Sequence, residues 1–378
     1  MKRYRGPLIL LILVTLGLSA VLMGRTLSRG DDFLVFYRVA QRFWDGVRPY
    51  DSVTYGNMVF KYPPWILPLF LPFGFMDPLT AKLIWGFVEA GSLFAIVIRI
   101  HRGIGRLPAV RPAIQAFFLL TFFALFGSHG MTGQITLLVL ALALWIDPVR
   151  SSFAKFFILA FAFSAKLTTL LPLLHSVKRK KIILNVLGVG ALFIALSLPI
   201  YFHSYRGHYR ALRTEWSAAL FSGTSDVDRV RIGFTTREVQ GLPSFLLRET
   251  GLDEKKPRDV LFAISVSTAF IVGFWIFLSR RLKPEVQWIG WLAVLPAVQP
   301  LAWFHVFLFT YPMLVFGAEE AMKNLRWRRV IGYGFCALLI GAVTAKTMGA
   351  AGSRLEFLSV KLWGSLAAIC IFRKDLQS

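Results

Sequence analysis

The sequence predicts an all-α polytopic membrane protein, and three observations carry that prediction. The first is composition: 56% of the 378 residues are hydrophobic, more than a water-soluble domain can hold without leaving apolar surface wet. The second is the spacing of charge. The net charge is +23, and the cations fall in short clusters between apolar runs, which excludes the continuous basic face of a nucleic-acid-binding domain and fits the positive-inside pattern of membrane proteins. The third is length. At roughly 20 apolar residues per crossing the chain holds about ten to twelve spans and little soluble domain, so residues 1–378 read as one membrane-embedded domain.

Taken in order, the apolar run from Pro7 to Gly24 reads as the first span, because no small-residue cleavage site of a signal peptide follows it. The basic clusters are Lys2 to Arg5, Arg99 to Arg111, Lys178 to Lys181, Arg280 to Lys283, Lys323 to Arg329, and Arg373 with Lys374. Placing them in the cytoplasm puts the N-terminus there too and turns 25–61, Gly127 to Gln134, 202–258 and Gln299 to His305 outward. Residues 62–76 and the two halves flanking Lys166, 153–164 and 167–177, are too short to cross alone and are interrupted by proline or lysine. Broken segments persist at membrane depth only where protein buries them or a polar cavity adjoins them, so an outward-facing cavity is expected. In 33–45, Arg38, Gln41, Arg42 and Asp45 recur on one helical face opposite Phe36, Val39, Ala40, Phe43 and Trp44, which predicts an interfacial helix in the first outer loop. Cys336 and Cys370 both sit inside apolar runs and read as packing, not as a disulfide.

Asp31 and Asp32 stand where the first span meets that helix, at the depth of a lipid phosphate. Two readings stand for this pair: either residue caps the helix N-terminus, or one of them accepts the proton of a sugar hydroxyl. Lys166 lies within an apolar stretch, where burying its charge costs roughly 2.5–3.5 kcal/mol. It either serves a function there or extends to the interface. The outer loop 202–258 supplies Arg206, His208, Arg210, Arg213, Arg237 and Arg248 beside the acids Glu215, Asp226, Asp228, Glu238 and Glu249. No second carboxylate-rich motif completes a metal site around Asp31 and Asp32, and His101, His129, His175, His203 and His208 lack ligand spacing. The expected chemistry uses neither metal nor cofactor.

Several motifs, in order, resemble glycosyltransferase family 87 of the GT-C superfamily, which includes polyprenol-phosphate-mannose-dependent mannosyltransferases. They are Asp32-Phe with Tyr37, Gly46 to Pro49-Tyr50, Tyr62-Pro63-Pro64, Gly133-Gln134, Ala165-Lys166 ahead of Pro172, Gln240 to Arg248, and Gln299 to Trp303-Phe304-His305. Departures are the missing Asn and Ser beside Gln240, Gln299 where the family has Ser, and a single histidine, His305, where it has two. The resemblance implies a GT-C-type bundle in which Asp32 is the catalytic base. Arg248, His305, Lys166 and Arg237 are then candidates for the donor phosphate, and Asp31, Tyr37, Tyr62, Gln134, Gln240 and Trp303 for binding substrate. His305 also reads as an ordinary interfacial residue. The implied reaction moves a hexose, mannose above others, from a polyprenyl-phosphate donor to a lipid or glycan acceptor at the external face of a bacterial inner membrane, with inversion. The partners are then the lipid-linked donor, the acceptor and membrane lipids, with no nucleic acid. The alternative is a transporter or flippase of a lipid-linked molecule, which predicts inverted internal repeats; no such repeat is apparent in the sequence.

Overall fold

A computed structural model describes residues 5–51, 60–105, 107, 109–146, 149, 151–166, 182–221, 224–225, 231–232 and 234–376. The Lys178 to Lys181 cluster, the half-span 167–177, His175, Asp226 and Asp228 lie outside the described residues. The described chain is helical: α1 Arg5–Ser28, α2 Asp31–Phe43, α3 Pro78–Arg102, α4 Pro112–Thr121, α5 Phe123–Thr132, α6 Thr136–Leu144, α7 Ser152–Ala165, α8 Ile182–His203 and α9 Tyr209–Phe221. After a pair of two-residue strands, Thr224–Ser225 and Arg231–Ile232, come α10 Leu242–Glu249, α11 Pro257–Ser279, α12 Pro284–Val298, α13 Tyr311–Lys323, α14 Trp327–Gly341, α15 Ala345–Phe357 and α16 Val360–Leu376. Three 3-10 segments intervene, Pro64–Leu69, Leu71–Phe75 and Phe304–Thr310.

Among the described residues, α1, α3, α8 and α11 are each long and apolar enough to cross a bilayer, or six spans if each of two bent pairs counts as one. The bent pairs are α4 with α5, at 60°, and α14 with α15, at 97°. Among the described residues the full-length helices are fewer than the expected ten to twelve spans, because much of the apolar sequence there is folded into short or broken segments. Only 11% of the apolar window of α8 is buried within the protein, which leaves its surface to face lipid. The protein is an all-α polytopic membrane protein.

The broken segment anticipated at 62–76 is the first pair of 3-10 helices. Pro64 opens it, and Pro68 removes an N–H that a continuing α-helix would need. Conversely, α3 starts sharply because the Asp77 carboxylate accepts from the backbone N–H groups of Leu79 and Thr80, both at 3.0 Å. The Thr80 side chain and N–H together hold that carboxyl below its usual range. The predicted interfacial helix is α2, two residues ahead of the expected start. Phe33, Phe36, Tyr37, Val39, Ala40 and Phe43 are buried along one face, with Arg38, Gln41 and Arg42 exposed on the other.

By internal packing the chain divides into two compact units, Met1–Leu22, Ala90–His129 and Phe234–Ser378 in one, and Met23–Glu89 and Gly130–Gly233 in the other. In the first unit, α12 is buried along almost its whole length, and α14 and α16 pack closely. Gly290 and Gly317 lie under the rings of Trp275 and Tyr333, and Gly341 lies against the Thr121 carbonyl, where a side chain would collide. In the second unit, α2 lies on the 3-10 segment Leu71–Phe75 over an aromatic layer. Phe36 stacks on Phe70 at 4.1 Å between ring centroids, and Phe33 stacks on Trp85 at 5.5 Å.

Gly74 is where α2 and that 3-10 segment meet, since a Cβ there would sit 2.7 Å from the Ala40 carbonyl. Overpacking of this kind costs about 1–3 kcal/mol. Gly74→Val is expected to lower the detergent-solubilised melting temperature, whereas Gly91→Ala, where a Cβ meets nothing within 4 Å, is expected to leave it unchanged.

Candidate active site

The turn between α1 and α2 is made by Gly30 in the left-handed region, φ 61°, where an added Cβ would lie 2.7 Å from the Thr26 carbonyl oxygen. Gly30 is the N-cap of α2 and no side chain caps it, so neither aspartate caps this helix and both stand in its first turn, where the helix dipole favours negative charge. They then part company. Asp31 pairs with Arg29 at 2.7 Å. Asp32 accepts a hydrogen bond from the Gln134 Nε2 amide.

Gln134 is held in place from several sides. It follows Gly133, whose φ of 66° and contact with Phe33, 2.9 Å from an added Cβ, admit no side chain. Trp85 Nε1 donates to the Gly133 carbonyl at 2.9 Å. Upstream, Thr26 Oγ1 donates to the Gly130 carbonyl at 3.1 Å and lies 2.5 Å from Glu89 Oε2. The turn that carries Gln134 is thereby fastened to α1 and α3.

The Gln134 amide joins opposite charges. Its Nε2 donates to the Asp32 carboxylate, while its Oε1 accepts from Lys166 Nζ at 2.5 Å and from the Tyr62 hydroxyl at 3.1 Å. Lys166 is the C-cap of α7 and is 6% exposed, so its charge is held inside the protein. Tyr62 is braced in turn, because Tyr50 donates to the Tyr62 carbonyl at 2.8 Å. Five separate motifs of the sequence thus join one chain of hydrogen bonds: Asp32, Pro49-Tyr50, Tyr62-Pro63-Pro64, Gly133-Gln134 and Lys166. Tyr37 is spent differently, its hydroxyl donating to the Met76 carbonyl at 3.0 Å and tying α2 to the end of the 3-10 segment.

The other candidates form a second group, within the first unit. Arg248 Nη1 donates to the carbonyls of Thr236 and Val239, at 3.2 and 2.9 Å, and Nη2 donates to Ser359 Oγ. Its guanidinium lies 5.6 Å above the Phe357 ring, and burial pushes its pKa down from the usual arginine value. Gln240 is fully buried; its backbone N–H donates to the Ala302 carbonyl at 2.9 Å, and its Oε1 accepts from the Lys361 N–H at 3.1 Å. Arg237 pairs with Glu238 at 2.9 Å and donates to Ser353 Oγ at 2.9 Å. Glu238 also raises its pKa. Trp303 is the N-cap of the third 3-10 segment. His305, buried in that segment, lies 6.0 Å ring to ring from the buried His129 of α5.

Sequence reading passed over three buried groups. His129, set aside for want of ligand spacing, stands beside His305, and no linear motif joins residues so far apart in sequence. Lys361 is fully buried and donates to the Ile340 and Val343 carbonyls at 2.8 Å each. Glu89 is 2% exposed in α3. For Lys361 and Glu89 a signal existed, an ionisable residue inside an apolar run. Among the described residues, no cluster of three or more His, Cys, Asp or Glu is arranged to hold a metal ion.

Removing the shared amide takes one hydrogen-bond partner from each of Asp32 and Lys166, a loss of about 2 kcal/mol. Gln134→Leu is therefore expected to melt at lower temperature than the native protein. Combined with Lys166→Met, the loss should be smaller than the sum of the single losses, because both remove members of one network; strict additivity in thermal unfolding would contradict that coupling.

No curated protein and no solved structure matches the chain. A family model does: glycosyltransferase family 87, over residues 60–301. The matched range contains Tyr62, Gln134, Lys166, Arg237, Gln240 and Arg248, while Asp31, Asp32, Tyr37, Trp303 and His305 flank it. With well over half of the chain matched, on a helical membrane fold, the protein belongs to glycosyltransferase family 87.

Proposed function

We propose that this membrane glycosyltransferase moves a hexose, mannose in the first instance, from a polyprenyl-phosphate donor to a hydroxyl of a lipid or glycan acceptor. The whole chain is read as one catalytic domain. The observation that carries the reading is the Asp32–Gln134–Lys166 arrangement, which holds a carboxylate and an ammonium in fixed register at the start of an amphipathic helix.

In the proposed reaction the Asp32 carboxylate accepts the proton of the acceptor hydroxyl as that oxygen attacks the anomeric carbon. The bond from the anomeric carbon to the phosphate oxygen breaks on the opposite face, so configuration inverts. The electron pair leaves with the polyprenyl phosphate, a diester that becomes a monoester and gains negative charge. Cations stabilise that charge as it develops. Lys166, joined to the base through Gln134, is one proposed partner, and His305, Arg237 and Arg248 remain proposed contacts for the donor phosphate. Asp31, Tyr37, Tyr62, Gln134, Gln240 and Trp303 are proposed to shape the substrate site. The proposed chemistry needs no metal, since protein cations supply the charge. With basic clusters in the cytoplasm, the site is read as opening to the external side of a bacterial inner membrane.

The test is transfer of radiolabelled mannose from polyprenyl-phosphate mannose to membrane-extracted acceptors by purified, reconstituted protein. Asp32→Asn is expected to lower transfer at least about 100-fold, the lower range for loss of a general base, while eluting and melting as the native protein does. Undiminished transfer by that variant would remove Asp32 from the mechanism, and transfer only from a nucleotide sugar would remove the lipid-linked donor.

A further inference from the structure

Helix α3 meets the candidate site along one face. Lys82, Trp85 and Glu89 recur there at i, i+3 and i+7, the spacing that puts side chains on one side of a helix. All three, with the groups they bond, belong to the second unit. Trp85 Nε1 donates to the Gly133 carbonyl, beside Gln134. Glu89 Oε2 meets the Thr26 hydroxyl of α1. Lys82 Nζ donates to the Arg29 carbonyl at 2.7 Å and to the Leu27 carbonyl at 3.3 Å.

Those two carbonyls lie where α1 ends. A helix C-terminus leaves its last carbonyls without intrahelical donors, and a cation there also complements the helix dipole. Lys82 supplies both to α1. Its stem runs beside the Gly30 turn, where an added Cβ would lie 3.7 Å from Lys82 Cε. Its charge interacts with the Asp31 carboxylate, and Arg29, whose carbonyl takes the shorter bond from Lys82, pairs through its guanidinium with that same Asp31. Lys82 thus acts on residues on both sides of Gly30, the residue from which α2 starts.

The consequence falls on Asp32. It stands two residues beyond Gly30 in the first turn of α2, and its carboxylate accepts from Gln134 Nε2. Lys82 fixes the backbone that leads to Asp32. Trp85, about 4.5 Å further along the axis of α3, fixes the backbone that leads to Gln134. Both ends of the Asp32–Gln134 hydrogen bond are therefore referred to one helix. Such fixing matters most where a reacting group must meet its partner closely, since a misplacement of about 1 Å can cost about 100-fold in rate.

We infer that Lys82 is a positioning residue for the transfer reaction: by bonding the Leu27 and Arg29 carbonyls it fixes the Gly30 turn, and with it the direction of the Asp32 carboxylate. The inference rests on the reading of Asp32 as the base. This role needs no contact between Lys82 and either substrate, so removing the lysine slows the chemical step and leaves donor binding intact.

The test is steady-state transfer from polyprenyl-phosphate mannose by the full-length reconstituted protein, with kcat and donor KM measured separately. Lys82→Met is expected to lower kcat roughly 10- to 100-fold, with donor KM within about twofold of native. Lys82→Arg, whose planar fork offers donors to both carbonyls, is expected to recover most of kcat. Lys82→Gln serves the same comparison should the methionine variant not elute as a folded species. In the Asp32→Asn background, Lys82→Met should slow transfer no further, because the group it positions is already gone. A raised donor KM at native kcat would make Lys82 a donor contact and overturn the assignment, as would no recovery by Lys82→Arg or full additivity with Asp32→Asn. Native-like transfer by Lys82→Met, with transfer lost in Asp32→Asn, would overturn the role of Lys82 alone; undiminished transfer by Asp32→Asn would remove the base and this role together.

Discussion

One amide, the side chain of Gln134, sets the geometry on which the candidate site depends. It donates to the Asp32 carboxylate through nitrogen and accepts from the Lys166 ammonium through oxygen. An amide is suited to this because it carries a donor and an acceptor on one rigid plane. A buried ammonium beside a half-buried carboxylate faces a desolvation cost, and direct contact would use up both groups. Spaced by an amide, each remains hydrogen-bonded. The Tyr62 hydroxyl adds a second donor to the same amide oxygen, which fixes the amide plane against rotation.

Irregular backbone makes that amide available. Gly133 and Gly30 both take positive φ, and each stands where a Cβ would strike a neighbour. The two glycines let the turn before α6 approach the α1–α2 junction closely enough for one side chain to span them. The 3-10 segments after Tyr62 serve the same end. Prolines stop the chain from becoming a full span, and Trp65 then donates to Ser164 Oγ at 2.9 Å and stacks on Phe193 at 4.8 Å. Backbone that would be costly against lipid is tolerated here because protein covers it.

The first unit uses its charges in a contrasting way. Arg248, Gln240 and Lys361 spend most of their observed donors on backbone carbonyls and a serine. Such bonds fasten loops to helices and satisfy groups that apolar surroundings would otherwise strand. Arg248 illustrates how a motif residue is built in. The match of Gln240 to Arg248 with the family loop marks a residue that closes this loop upon Phe357 and Ser359.

The sequence by itself determined the class of molecule and its local breaks. Apolar runs, clustered cations and proline positions depend only on nearest neighbours and solvent, so the membrane fold, the amphipathic α2, the broken segment after Tyr62 and the halt of α7 at Lys166 were all legible. Lys166 stood out because charge in an apolar context is costly wherever it occurs, and Asp32 because of its place at the junction with the amphipathic helix and its match to a family motif. What only the tertiary structure decided was pairing: that Asp31 turns to Arg29 while Asp32 turns to Gln134, that Tyr50 supports Tyr62, and that His129 stands beside His305. Those choices follow from where helices pack and how far a side chain reaches. Two adjacent aspartates with the same chemistry are separated by helix geometry alone, since successive residues point about 100° apart around the axis.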